Sequence, residues 1–212
     1  MATPFATRVA LKIQKIARDL DPAEREFRRA WPSIDSVEGL LVEGQEKWLF
    51  KTARSLPDPA NLVEIGSFKG RSTCCLALGC RGTKKRVFAI DPFDRNDWDS
   101  RQQSVLQEFK QNIERCGISG YVEPTVGLSS EVAKGWNKPI HFLFIDGSHR
   151  HEDVMADFDD FLPHVLPGGI IALHDVCEGL PGVFRAWHET IKHQLTDIGY
   201  CTTIGYGRKP KE

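Results

Sequence analysis

The sequence predicts an α/β fold with a mostly parallel central sheet, helices on both faces and an N-terminal helical cap. From residue 61 onward, short apolar runs alternate with helical periodicities, which is typical of βαβ units. The central runs are mostly apolar, as expected for strands buried on both faces, and only the run over 122–126 predicts a weaker strand. We therefore expect one compact unit over residues 57–212, preceded by a helical cap over residues 1–56.

The individual elements follow from the spacing of apolar residues. Helical spacings occur over 5–20, 23–31 and 43–55. A further helix is expected over 182–193, and one or two closing strands over 198–207. The other predicted strands, with helices between them, are 62–65, 87–90, 122–126, 140–145 and 170–173.

The composition excludes several classes of partner. The 212 residues carry a formal net charge of -1, so we expect no nucleic-acid partner. No apolar run approaches the roughly 20 residues of a spanning helix, and the first residues lack the layout of a secretory signal. We expect a cytoplasmic protein without a membrane partner, with its six cysteines reduced. A homo-oligomer is left open.

A glycine-containing loop follows the first predicted strand, in the sequence Val63-Glu-Ile-Gly-Ser-Phe-Lys-Gly-Arg-Ser-Thr73. Gly66 allows a sharp turn, and Gly70 lets the backbone approach a ligand. The second strand ends at Asp91, which is placed to accept hydrogen bonds from ribose hydroxyls. Because the loop lacks the G-x-G-x-x-G fingerprint, a dinucleotide fits less well than an adenosine ligand that carries an amino acid. S-adenosylmethionine is such a ligand.

Two later strands end in acidic and imidazole side chains. Asp146 and His149 follow one of them, and His174 and Asp175 follow the next. If the strands are parallel neighbours, their carboxyl ends bring these residues together. Carboxylates bind hard cations, and imidazole binds transition metals or transfers protons. Each residue alone could be a solvated loop side chain, but the paired placement predicts a site.

These motifs resemble those of class I S-adenosylmethionine-dependent methyltransferases. More narrowly, they are similar to the metal-dependent O-methyltransferases related to macrocin O-methyltransferase and the cephalosporin-hydroxylase-like group. The resemblance spans about residues 39–193. It implies a Rossmann-like methyltransferase fold and O-methylation of a hydroxyl on a sugar or other small molecule. It rests on the glycine loop, Ala89-Ile-Asp-Pro92, Phe144-Ile-Asp-Gly-Ser-His149 and Leu166-Pro-Gly-Gly-Ile-Ile-Ala-Leu-His-Asp175.

The resemblance also implies roles for individual residues. The loop would bind the methionine part of the cofactor, Asp91 the ribose, and residues 127–129 the adenine. A divalent cation, with magnesium expected first and manganese or another ion as alternatives, would be held by Asp146, His174 and Asp175. His149 would remove the proton of the acceptor hydroxyl. The predicted cofactor-binding residues are Glu64, Gly66, Ser67, Gly70, Ser72, Asp91, Gly127, Ser129 and Asp146.

Several alternatives remain at this point. Position 174 is often acidic in such relatives, and His174 leaves manganese, iron or zinc open. His151 is a second candidate for the base. The same fold could also serve an NAD(P)-dependent oxidoreductase, although no tyrosine has a lysine four residues later. A non-catalytic nucleotide- or metal-sensing module is the third possibility.

Two expectations concern surfaces of the protein. The acceptor pocket is expected to be built from the helical cap, the 92–100 loop and the segment after Asp175. On the helix that follows His149, the three acids Asp157, Asp159 and Asp160 are expected to form a solvated face.

Overall fold

A computed structural model describes residues 21–93 and 104–211 of the chain. The helix predicted over 5–20 and most of the 92–100 loop lie outside these residues. The α-helices are α1 (Pro22–Asp35), α2 (Gln45–Ser55), α3 (Arg71–Gly79), α4 (Val105–Arg115), α5 (Ser129–Gly135), α6 (His151–Phe161) and α7 (Pro181–Arg185). The strands are β1 (Asn61–Ile65), β2 (Arg86–Asp91), β3 (Val122–Val126), β4 (Ile140–Ile145), β5 (Val165–Leu173), β6 (Thr196–Cys201) and β7 (Ile204–Arg208).

The seven strands form one sheet in the order β3-β2-β1-β4-β5-β7-β6. The first five in this order are parallel, whereas β7 runs antiparallel to β5 and to β6. The predicted α/β fold with a mostly parallel sheet is therefore confirmed. The strand order changes direction between β1 and β4, and ligands bind at the carboxyl ends of strands at such a point.

Two apolar layers cover the sheet, one on each face. The alternation along β4 shows how one strand serves both layers. Phe142 and Phe144 belong to the layer formed with α1 to α4. Leu143 and Ile145 belong to the layer that includes α6 and the segment after α7. The four residues from Phe142 to Ile145 are apolar and buried, so the first acidic side chain, Asp146, comes only where the strand ends, at the ligand edge.

The N-terminal helices lie against one face of the sheet. Asp21 caps α1 by accepting a hydrogen bond from Ala23 N at 2.9 Å, with Pro22 in the first turn, so the Asp-Pro pair begins a helix. Lys51 of α2 ties the two helices together through ion pairs to Asp21 at 2.7 Å and Glu24 at 3.1 Å. The division of the chain into a helical cap over residues 1–56 and a compact unit over residues 57–212 stays a prediction.

The single helix predicted over 182–193 was wrong in detail. After α7 the chain forms a π-helical turn over Ala186–Thr190 and a 3-10 turn over Ile191–Gln194. The wider turn accompanies the packing of the Trp187 indole, which is fully buried and lies against Gly205 of β7. A Cβ on Gly205 would approach Trp187 to 2.7 Å, so packing against the closing strand overrides helical periodicity here.

The remaining bulk expectations can be compared directly with the fold. All six cysteines are free thiols, and four of them are buried, as predicted. Within the described ranges, no helix combines the length and the apolar character needed to cross a membrane. The cytoplasmic location and the oligomeric state stay predictions.

Candidate functional site

The loop after β1 lies across the carboxyl ends of three strands. Gly66 has a φ of +85°, and a Cβ at this position would lie 2.2 Å from the backbone oxygen of Asp146. Its N–H donates to Ile90 O of β2 at 2.9 Å, and Asp146 N donates to Ile65 O at 2.8 Å. Only glycine allows this close approach, which brings the predicted cofactor loop against the residue that ends β4.

Asp91, at the end of β2, holds the same loop. Its Oδ2 accepts hydrogen bonds from the backbone N–H groups of Ser67 at 2.8 Å and Phe68 at 2.9 Å, and Oδ1 accepts from Phe93 N. The side chain lies at the predicted ribose position and also orders the turn. A carboxylate has about four acceptor sites, so one remains for a ligand hydroxyl. Its ribose role stays a prediction.

Glu64 is completely buried beside this turn. Its Oε2 accepts hydrogen bonds from the hydroxyls of Ser67 and Thr73, whereas Oε1 has no partner. Burial raises the pKa of Glu64 to about 7, and the nearby hydroxyls of Ser72, Thr73 and Ser67 offset only part of this. A buried carboxylate oxygen without a donor is costly. The atom therefore marks a place where a cationic ligand group would be stabilised.

The acidic and imidazole residues after β4 and β5 meet, as predicted. The two strands are parallel neighbours with Ile145 opposite Leu173, so their next residues lie side by side. His174 Nδ1 lies 3.0 Å from Asp146 Oδ1 and 3.2 Å from Asp175 Oδ2. Within the described part of the chain, these three residues form a group whose ligand atoms lie within 4.8 Å of one another.

The His174 ring is held from its other side. The side chain is buried, and Nε2 lies 3.0 Å from Oε1 of Gln45 in α2. Although Nδ1 is close to both carboxylates, neither oxygen makes an aligned hydrogen bond with it. Asp175 has a φ of +59°, a left-handed conformation that is uncommon outside glycine and often marks a functional position. The group therefore presents one imidazole nitrogen and two carboxylates to a common point.

The charges within the group shift its pKa values in opposite directions. Burial alone would lower the pKa of His174, but Asp146 and Asp175 outweigh it and raise the pKa to about 10. Burial raises the pKa of Asp146, which His174 offsets only in part. Burial acts in the same direction on Asp175, but His174 and His149 hold the pKa of this carboxyl below its usual value. A divalent cation would compete with the proton on His174 for the same two carboxylates.

Of the two histidines after β4, His149 is the one that reaches this group. Its Nε2 lies 3.0 Å from Asp175 Oδ2, and about half of its side chain is exposed. His151 lies two residues further along the chain, where it begins α6. An exposed imidazole held by a carboxylate can exchange protons with a ligand at the strand ends, so the geometry favours His149 over His151 as the base.

The predicted adenine side lies at the end of β3. Gly127 N donates to Asp91 O at 3.1 Å, which joins this turn to β2. Ser129 opens α5, and its hydroxyl donates to Oδ1 of Asp157 in α6. The expectation that Asp157 belongs to a solvated face was wrong, because only 7% of the residue is exposed. Burial raises its pKa to about 6, and the Ser129 hydrogen bond offsets part of this.

The structure thus brings the predicted residues to one edge of the sheet, where the glycine loop adjoins the acidic group. The glycine loop ends at Gly70, which has a φ of +90° and lies directly before α3, whose second residue is Ser72. Sequence reasoning missed two side chains, Gln45 and Asp157. Gln45 follows a glycine at the start of a helix, which gives no sequence signal for a contact with a residue 129 positions away.

The part of the chain that contains these residues matches a known protein family. The family described as a methyltransferase domain matches residues 63–176, which include both the glycine loop and the acidic group. A segment of 148 residues, 67% of the chain, is 25% identical to the uncharacterised protein y4gI of Sinorhizobium fredii. That segment spans 16% of the length of y4gI.

Two solved structures share the fold. An O-methyltransferase from Bacillus cereus in complex with S-adenosylhomocysteine is 21% identical, with a TM-score of 0.62 over 92% of this chain and 96% of the other. CalS11, a TDP-rhamnose 3'-O-methyltransferase of calicheamicin biosynthesis, is 15% identical, with a TM-score of 0.62 over 98% and 96% of the two chains. The predicted methyltransferase fold and family are confirmed, and the chain belongs to the family of methyltransferase domains.

Proposed function

We propose that this protein transfers a methyl group from S-adenosylmethionine to a hydroxyl of a small molecule, with help from a divalent cation. One observation carries the proposal: the glycine turn of the predicted cofactor loop lies directly against Asp146 of the acidic group. A methyl donor in the loop and an acceptor at the acidic group would therefore be neighbours. Alignment of nucleophile and methyl carbon is the main requirement of such a transfer.

The loop residues fit the cofactor chemically. S-adenosylmethionine carries an ammonium group, whose positive charge would stabilise the buried carboxylate of Glu64. Asp91 would accept from the ribose, and the turn at Gly127 and Ser129 would border the adenine. The solved O-methyltransferase from Bacillus cereus has S-adenosylhomocysteine, the product of such a reaction, bound to the same fold.

The acidic group fits a divalent cation. The buried Nδ1 of His174 has no aligned hydrogen bond and lies between carboxylate oxygens of Asp146 and Asp175. A bound cation at these three ligands would lower the pKa of an acceptor hydroxyl and orient it. The carboxylates suit magnesium or manganese, whereas the imidazole also suits iron or zinc.

His149 would act as the general base. Its Nε2 faces Asp175, so Nδ1 is left to accept a proton from the acceptor hydroxyl. As the acceptor oxygen bonds to the methyl carbon, the bond between sulfur and that carbon breaks and S-adenosylhomocysteine leaves. This methyl transfer needs no reductant or oxidant, whereas an oxidoreductase transfers a hydride to or from its cofactor.

The acceptor is proposed only as a class. CalS11, which has the same fold, is a TDP-rhamnose 3'-O-methyltransferase. Sugar hydroxyls are therefore the first acceptors to screen. The family match favours methyl transfer over NAD(P)-dependent chemistry. A non-catalytic sensing module remains the contrasting hypothesis, since such a module would bind cofactor without turnover.

Calorimetric titration of chelator-treated protein with S-adenosylhomocysteine, followed by turnover with sugar acceptors, tests the proposal. We expect Asp91→Ala to weaken cofactor binding by at least about tenfold, the value of a hydrogen bond to a charged group. Asp146→Asn should abolish metal binding, whereas Asp159→Asn, which changes an exposed acid of α6, should not. If the wild-type protein binds neither S-adenosylhomocysteine nor S-adenosylmethionine, the proposal is wrong.

A further inference from the structure

Gln45 makes a contact with the acidic group that the reaction itself does not explain. The residue lies at the start of α2, is completely buried and belongs to the helical cap. Its side-chain Oε1 lies 3.0 Å from Nε2 of His174. Position 45 is 129 residues away in the sequence, so α2 reaches the carboxyl end of β5 only through tertiary packing.

Two hydrogen bonds determine which way the Gln45 amide points. Its Oε1 accepts from the backbone N–H of Val42 at 2.8 Å, and its Nε2 donates to Thr203 Oγ1 at 2.9 Å. If the amide were rotated by half a turn, its NH₂ group would face the N–H of Val42, and both groups are donors. Because Oε1 can only accept, Nε2 of His174 must carry a proton and donate.

The orientation of Gln45 therefore decides what His174 offers on its other side. Once a divalent cation has displaced the proton from Nδ1, a His174 ring that keeps its proton on Nε2 offers a lone pair at Nδ1. That atom lies 3.0 Å from Asp146 Oδ1 and 3.2 Å from Asp175 Oδ2, without an aligned hydrogen bond to either. Histidine ligands of metals commonly donate their second N–H to a neighbouring acceptor, which fixes the ring and its tautomer.

We infer that Gln45 is a positioning residue that holds His174 as an Nδ1 ligand beside Asp146 and Asp175. The inference rests on the proposed metal site and names how this chain builds it. One imidazole nitrogen and two carboxylates form a ligand set that favours a first-row transition ion such as zinc, iron or manganese over magnesium. A carboxylate, which similar O-methyltransferases often have at this position, has no ring tautomer for a partner in α2 to fix.

The test compares two substitutions of Gln45 with a matched control. Gln45→Met keeps the size of the side chain and removes the acceptor, whereas Gln45→Glu keeps an oxygen that can accept from His174. Gln107→Met makes the same change at an exposed position in α4. Zinc and magnesium affinities of the chelator-treated full chain are measured by calorimetry, with circular dichroism as a check of folding.

We expect Gln45→Met to weaken zinc binding by about 10- to 100-fold, as is common when the partner of a metal-bound histidine is lost. Gln45→Glu should retain most of the affinity, and Gln107→Met all of it. Wild-type protein should bind zinc more tightly than magnesium. Equal zinc affinity of folded Gln45→Met and wild type would overturn the inference while leaving the metal site intact.

A second readout is made on the wild-type protein itself, and a folded His174→Asn variant is needed only to assign the signal. Two-bond ¹H–¹⁵N NMR spectra of zinc-loaded wild-type protein report which ring nitrogen of His174 carries the proton, with His174→Asn identifying the signal. We expect a protonated Nε2 and a zinc-bound Nδ1. The reverse arrangement would contradict the role of Gln45. Failure of the wild-type protein to bind either ion would instead remove the proposed metal site, and the inference with it.

Discussion

The Glu64→Gln variant should gain stability over the wild-type protein as the pH rises from 5 to 8. Burial raises the pKa of Glu64 to about 7 from an ordinary value of 4.5. Because the folded state binds this proton more tightly than the unfolded state does, wild-type stability falls as the pH rises through this range. Glutamine cannot ionise, so the variant lacks this loss.

The size of the effect follows from the two pKa values. The full difference between pKa values of 4.5 and about 7 corresponds to about 3.5 kcal/mol, at about 1.4 kcal/mol for each unit of pKa difference. About 1 kcal/mol of this lies below pH 5, so ionisation of Glu64 costs the folded wild-type protein about 2.5 kcal/mol between pH 5 and pH 8. The advantage of Glu64→Gln should therefore be about 2.5 kcal/mol larger at pH 8 than at pH 5. Urea unfolding of both proteins at the two pH values measures this difference, in which other titrating groups cancel.

Cofactor binding should favour the wild-type glutamate over the glutamine of the variant. A bound ammonium would stabilise the ionised carboxylate, so Glu64→Gln should bind S-adenosylhomocysteine more weakly than wild type at pH 8 despite its higher stability. Glu123→Gln, a change on the exposed side of β3, is the matched control and should alter neither quantity. An equal pH dependence of stability in wild type and Glu64→Gln would refute the reasoning about the buried charge.

Three further changes test separate parts of the structure. In urea unfolding, Gly66→Ala should be much more destabilising than Gly82→Ala. Both glycines have a positive φ, which costs alanine about 1–2 kcal/mol of strain, but only a Cβ at position 66 would also lie 2.2 Å from a backbone atom. Equal destabilisation by the two substitutions would contradict the close approach. Lys85→Met should lower the free energy of unfolding by about 2 kcal/mol, since its buried ammonium donates to two carbonyls at the end of α2; increased stability would show that burying the charge costs more than these bonds contribute. Asp157→Ala should weaken S-adenosylhomocysteine binding about fivefold in calorimetry, equivalent to one lost hydrogen bond at the start of α5. The control Asp160→Ala, at an exposed position, should bind S-adenosylhomocysteine as wild type does. Similar affinities of the two variants would show that Asp157 does not contribute to the adenine side of the site.

Much of the site could be predicted because its residues follow directly from strand ends. The apolar run of β4 ends at Asp146, and that of β5 ends at His174. Once the two strands are parallel neighbours, the next residues must meet, whatever the details of packing. The same logic placed the glycine loop and Asp91 together, and all of these residues lie at the carboxyl edge of the sheet.

The contacts that could not be predicted join residues distant in the sequence. A helix periodicity of acids and apolar residues indicated an exposed Asp157, but the packing of α5 on α6 buries it against Ser129. The helix after β5 was expected to be regular, but contact between Trp187 and Gly205 of β7 accompanies a wider turn. Neither contact leaves a local pattern.

The sequence by itself therefore determined the order of elements, the parallel sheet and the edge at which chemistry would occur. These depend on local periodicity and on where apolar runs stop, both of which are written along the chain. Only the tertiary structure decided that His174 is held by Gln45 and that Glu64 keeps an unpartnered oxygen. Such features depend on distances of a few tenths of an ångström between side chains from separate elements, and those distances are set when the layers pack together.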